Sequence, residues 1–143
     1  MPITPEHVGR SYPAPRPYLV SRAKIEEFAT AIFDSHTAYE PNGDTPAVAP
    51  PTFAMVIAAQ AWQPVFDDQE LGLALQRLVH TDQRLSFARP LREGDLVEAV
   101  ASIDKVRNRG DIDLVTLSVR LSVGGEEVAV ATSSLMHTRE AAA

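Results

Sequence analysis

The stretch TFAMVIAAQAW, residues 52–62, carries only two plainly polar side chains, Thr52 and Gln60. Its length and composition predict a helix. A helix that is apolar nearly all round must be covered on most of its sides. It is far too short to cross a bilayer. Ala58, Ala59 and Ala61 add little bulk, so a sheet can approach it closely. Pro64 is expected to stop it, because a proline ring cannot continue the backbone ladder.

The cover for this helix is encoded downstream. After DDQELGLA (residues 67–74) the sequence period changes from helical to alternating. IDLVTLSVRLSV, residues 112–123, puts Val115, Leu117, Val119, Leu121 and Val123 on one face and Thr116, Ser118, Arg120 and Ser122 on the other. RLVHTDQRLSFARP (77–90), DLVEAVASIDKVR (95–107) and EVAVATSSLMHT (127–138) read as three further strands, with NRGD (108–111) and GGEE (124–127) as turns. EAAA at the end is expected to fray. One apolar helix and a meander of about four long antiparallel strands have an economical solution, in which the sheet wraps around the helix. That is the α+β hotdog fold. A single such unit leaves an edge strand unpaired, so a homodimer or heterodimer joined at that edge is the expected minimum.

Upstream, nine of the eleven prolines fall in the first 51 residues, which predicts a turn-rich segment around a single helix. RPYLV reads as extended. Ser21 is placed as the N-cap of SRAKIEEFATAIF, whose Ile25, Phe28, Ala29 and Ile32 share one face. EPNGDTPAVAPP is a loop by composition.

The 143 residues suit one domain spanning residues 1–143, and 45% hydrophobic with 22% charged residues is ordinary globular composition. The absence of cysteine excludes disulfides, thiolate nucleophiles and Cys-based zinc sites. MPITPEHVGRSYP lacks a basic-then-apolar signal pattern, and no apolar run is long enough to span a membrane. A cytoplasmic location is the resulting expectation. A net charge of −6 argues against nucleic acid as a partner. Against that background residues 77–92 hold Arg77, Arg84, Arg89 and Arg92 with only Asp82. They read either as scattered surface arginines or as a dock for the phosphates of coenzyme A or a phosphopantetheine carrier.

GRSYP, KIEEFATAIFDSHTAY, APPTFAMV and LVHTDQRLSFARPLREGD, in that order, resemble the MaoC-like hydratase/dehydratase N-terminal-domain family. The resemblance runs from about Val8 to Met136. It is closest to the small stand-alone subunits related to the (3R)-hydroxyacyl-thioester dehydratases of fatty-acid elongation. It implies a substrate that is an acyl-CoA or acyl-carrier-protein thioester, and no cofactor. Complete relatives carry Asp-x-Asn-Pro-x-His between the first helix and the buried one. Elimination of water from a 3-hydroxyacyl thioester takes a proton from C2 and gives one to the leaving oxygen, which a His–Asp pair can do. Backbone N–H groups near Thr52, Phe53 and Ala54, with Met55 alongside, would face the thioester oxygen as it gains charge. On this chain the pattern becomes Asp34-Ser35-His36-Thr37-Ala38-Tyr39. The acid is kept at Asp34 and the histidine is replaced by Tyr39. A phenol with a pKa near ~10 is a poor base at neutral pH. The resemblance therefore implies a subunit that holds the acyl thioester while a sister chain supplies the intact dyad. The alternative is a non-enzymatic homodimer that binds or senses acyl thioesters.

Each candidate also has a plainer reading. Asp34 is the retained acid or a turn residue ending the first helix. Tyr39 lines the thioester pocket or takes part in the chemistry. His36 stands in for the missing base or is a solvated loop histidine. His80, in VHTDQ, shares a strand face with Asp82 if the strand is regular, as an oriented imidazole or as a structural one. Phe53, Met55 and Trp62 read as core, with some lining an acyl tunnel. No spacing resembles a metal site, and there is no nucleophile elbow or Gly-rich phosphate loop.

Overall fold

The computed structural model describes residues 2–141. Of the EAAA tail, Ala142 and Ala143 lie outside the described residues. Two short strands, β1 (Ser11–Pro13) and β2 (Tyr18–Leu19), precede the helix α1 (Arg22–Ala31). Next come α2 (Ala54–Ala61) and α3 (Gln63–Asp67), then four long strands: β3 (Leu78–Phe87), β4 (Leu96–Arg109), β5 (Ile112–Val123) and β6 (Glu126–Thr138). The sheet is antiparallel in the order β1-β4-β5-β6-β3, with β2 also paired to β4. It wraps around α2, which packs against β4, β5 and β6. This is the hotdog arrangement expected from the patterning.

The alternation in residues 112–123 decides the core. Val115, Leu117, Val119 and Leu121 are buried, and they face Ala54, Ile57, Ala58 and Ala61 of α2. Each fully buried Leu or Ile contributes about 1.5–3 kcal/mol of hydrophobic stabilisation. Ala58 and Ala61 allow the close approach that their small size suggested, whereas Ala59 faces solvent. At the other end of the molecule Ser21 caps α1 as expected, accepting a hydrogen bond from the Lys24 N–H at 3.2 Å.

Several local expectations are corrected. The helix does not begin at Thr52, because Pro51–Phe53 forms a 3-10 turn and α2 starts at Ala54. α2 does end just before Pro64, at Ala61, but helical structure resumes at once in α3. Pro64 lies in the first turn of α3, where a missing N–H leaves nothing unsatisfied. α2 is covered on most of its sides, as expected, with Ala59 and Gln60 open to solvent. Ile32 lies at the helix end and is exposed, outside the packed face assigned to it.

Strand β3 also departs from regular alternation. Its pairing with β6 shifts between His80 and Asp82, so Thr81 bulges out of register. The extra residue reverses the facing of everything before it. His80 lies opposite Leu135 and Gln83 opposite Ser133, so His80 and Gln83 share the inner face while Asp82 points outward. The expected His80–Asp82 face does not form. Instead the His80 Nε2 lies 2.9 Å from Gln83 Oε1, and its ring packs edge-on to Trp62 at 5.5 Å.

Candidate functional site

The segment that carries the candidate site begins with a helix termination. The N–H of Phe33 donates to the Thr30 carbonyl and the N–H of Asp34 to the Ala29 carbonyl, closing α1 in a Schellman motif. That motif needs a left-handed residue at Phe33, and φ there is +57°. Glycine or asparagine ordinarily fills this position. A phenylalanine is strained there by about 1 kcal/mol, and the Phe33 ring is 97% exposed. Sequence reasoning passed over this residue.

The turn aims Asp34 back into the segment. Asp34 Oδ1 accepts from the backbone N–H of His36 at 3.2 Å, and Asp34 Oδ2 accepts from the Tyr39 hydroxyl at 2.8 Å. His36 caps a 3-10 turn over Thr37–Tyr39, with its Nδ1 accepting from the Ala38 N–H at 3.0 Å. The proton of a neutral His36 ring is therefore on Nε2. His36 meets Asp34 through its backbone, not through its ring. The hydrogen bond donated to Asp34, and to a lesser degree burial, raises the Tyr39 phenol above its ordinary pKa. The phenol stays protonated at neutral pH and acts as a hydrogen-bond donor.

Two cavities meet at His36 and Tyr39. One, of about 450 Å³, is lined by Glu26, Phe33, Asp34, Glu40 and neighbours, with no lysine or arginine. The other, of about 420 Å³, is more apolar and runs along Val48–Pro51 and Phe87–Leu91. Beyond it, Phe53 is buried against Tyr18 and Phe28, and Ala54 is fully buried, while Met55 is half-buried and Thr52 exposed. The N–H of Phe53 donates to the Pro50 carbonyl at 2.9 Å, and that of Ala54 to the Pro51 and Thr52 carbonyls. Two of the three amides expected at a thioester oxygen are thus engaged within the turn.

The four arginines of residues 77–92 do not gather. Arg77 lies near Glu140 and donates to the Arg139 carbonyl. Arg84 stands on the outer face beside Asp82. Arg89 forms a two-pronged pair with Asp95 at 2.8 and 3.1 Å, and Asp95 also accepts from the Arg92 N–H. Burial is the largest single influence on the Asp95 carboxyl and acts to raise its pKa. The Arg89 and Arg92 contacts together outweigh it and hold the carboxyl below its ordinary value. The clamp fixes the ARPLREGD turn, whose backbone bonds to Ala47, Ala49 and Val20 hold the approach to α2. Among the described residues no cluster of three or more His, Asp or Glu side chains is placed to hold a metal, and no helix is long and apolar enough to cross a membrane.

A family model described as "FAS1-like, dehydratase domain region" matches residues 6–131. A UPF0336 protein of Cutibacterium acnes is 50% identical over 140 residues, 97% of this chain and 96% of its own. The C-terminally truncated HadBC (3R-hydroxyacyl-ACP dehydratase) complex of Mycobacterium tuberculosis is similar at TM-score 0.81 and 28% identity, over 91% of this chain and 96% of that one. A structure described as a MaoC-like dehydratase matches at TM-score 0.82 and 25% identity, over 93% of this chain and 42% of that one.

Proposed function

Because the chain belongs to the UPF0336 family and to the FAS1-like dehydratase-region family, we propose that it is the acyl-thioester-binding subunit of a (3R)-hydroxyacyl-thioester dehydratase or enoyl hydratase, active only beside a partner chain. One observation carries the reading. At the place where the resemblance puts a histidine, Tyr39 donates its hydroxyl to Asp34. Both oxygens of that carboxylate are occupied, and the phenol is held in its protonated form. Removing a proton from C2 needs a base with a pKa near the working pH. Tyr39 does not provide one, and both oxygens of Asp34 are engaged by other donors. The apolar cavity beside Tyr39 is suited to an acyl group, and Tyr39 to a hydrogen bond.

Two features support a partner. Among the described residues β3 is paired only to β6, so its other edge is open, and Ala59 and Gln60 leave one side of α2 uncovered. An unpaired strand edge invites a second chain. One of the structures this chain resembles is itself a complex.

The test is hydration of a crotonyl thioester, read as loss of enoyl absorbance, with the purified chain alone and then with a related chain carrying an intact Asp-x-Asn-Pro-x-His. Activity only in the mixture is the expected result. Turnover by the chain alone would overturn the reading and point to His36 or His80 as the base. Silence in both, with a fatty acyl ligand bound, would favour a homodimeric binding module.

A further inference from the structure

Ion pairs take up eight of the thirteen lysines and arginines in this acidic chain. Among the described residues the five outside them are Arg16, Arg92, Lys105, Arg107 and Arg109. The last three alternate along β4. Val106 between them is buried, and Asn108 bonds inward to Asp113 and Ile3, so all three cations stand on the outer face of the sheet, away from α2.

The sheet is not flat beneath them. Lys105 is register partner to Thr116, Thr116 to Ser134, and Ser134 to Asp82. Pairing slips at both ends of this row, between Ile103 and Lys105 on β4 and between His80 and Asp82 on β3. Two bulges on one cross-strand row, with small side chains between them, leave a depression. A cavity of about 240 Å³ lies there, and its polar lining is Thr81, Lys105, Arg107, Thr116 and Ser134. No carboxylate lines it. Asp104 accepts from Ser118 at 2.9 Å, and Asp82 stands beside Arg84. The Thr81 hydroxyl donates to the Ser134 carbonyl, which leaves the hydroxyls of Thr116 and Ser134 and the two cations as donors.

We propose that this outer-face depression is an anion site that binds the phosphate end of a small soluble phosphate ester, with Lys105 and Arg107 as the charged contacts. Two adjacent cations with hydroxyl donors match phosphate oxygens, and the arginine fork suits two of them at once. The cavity encloses a phosphate or pyrophosphate group and little more. A net charge of −6 favours a small anion over a long polyanion, which would have to lie across acidic surroundings. The site lies on the opposite side of the sheet from Asp34 and Tyr39, so its test is independent of any thioester chemistry.

Sodium pyrophosphate titrated into the full chain should raise its melting temperature saturably, with sodium chloride of matched ionic strength as control. Lys105→Ala/Arg107→Ala should melt like the native chain without ligand and lose at least tenfold in pyrophosphate affinity. Arg120→Ala removes a paired cation from the same face and should stay within twofold of native. No saturable shift, an equal shift with chloride, or an unchanged affinity in the double variant would each overturn the proposal.

Discussion

Asp34 and Asp113 each hold a carboxylate against a ring, Asp34 against the Tyr39 phenol and Asp113 against the His137 imidazole. Asp113 and His137 are the side-chain Asp–His pair among the described residues, yet both are sealed, at 1% and 2% exposure. The Ala74 N–H donates to His137 Nε2, so Nδ1 carries the ring proton and faces Asp113 Oδ2 at 3.5 Å. Asp113 Oδ1 accepts from Asn108 at 2.6 Å and lies 3.2 Å from Arg139 Nε. Asn108 in turn holds the Ile3 carbonyl. The buried pair thus ties the N-terminal segment, the approach to β3 and the end of β6 together. The Asp34–Tyr39 pair lies between two open cavities and ties down only its own loop. Residue types alone do not tell the two pairs apart as candidates for chemistry; access to solvent separates them.

The largest test of this contrast is Asp113→Ala. It removes one of the two acceptors of Asn108, the carboxylate facing His137 and the counter-charge beside the buried Arg139 Nε. Removing one member of a buried charged network is expected to lower unfolding stability by about 3 kcal/mol, measured by urea titration. A loss below about 1 kcal/mol would mean the network is solvated and the contrast fails.

Arg89–Asp95 is intermediate in exposure, and Arg89→Met should remove about 1.5 kcal/mol at neutral pH. The Asp95 carboxyl is depressed in the folded state. Its contribution is therefore complete above the ordinary carboxylate pKa of about 4 and is lost as pH falls through the lower folded-state value. The gap between native and variant in urea midpoints should close on acidification. A gap independent of pH would show that Arg89 acts by packing.

On the open side, Phe33→Gly should stabilise the isolated chain by about 1 kcal/mol, seen as a higher melting temperature. Glycine relieves the left-handed strain, and the lost ring buries nothing. A decrease would mean that Phe33 is covered in solution, by a second chain or by ligand.

The fold was legible because its deciding features are long and periodic: an apolar helix at 52–62 and alternation from 112 to 123. What was missed is local. A one-residue bulge at Thr81 leaves no mark on the alternation of VHTDQ, yet it exchanges His80's partner from Asp82 to Gln83. The sealed pair did leave a signal. Asp113 is in phase with Val115 and Leu117, and His137 with Leu135 and Ser133, so two polar residues occupy buried positions. The strain at Phe33 was invisible, because the sequence shows a phenylalanine and not the glycine that announces a left-handed helix end. The arginines of 77–92 looked like a cluster because they are close in sequence, but a strand followed by a turn sends them to different faces. Lys105, Arg107 and Arg109 are fewer, and their spacing of two keeps them together.

The smallest predicted effect bears most directly on the site. If Asp34 holds the phenol as donor, Asp34→Ala should let Tyr39 titrate nearer the ordinary value of about 10, followed by NMR of the tyrosine ring against Tyr12 and Tyr18. The sign follows from the raised folded-state pKa. Whatever stability the Tyr39–Asp34 bond gives through the phenol is present at neutral pH and disappears as pH rises through the phenol's raised folded-state titration. The pair is open to solvent, so the stability change should be small and the titration shift is the readout to trust. A Tyr39 that titrates identically in both proteins would mean the hydroxyl is free in solution. In that case Tyr39 is not a locked donor, and the phenol is free to meet a bound thioester without a partner chain.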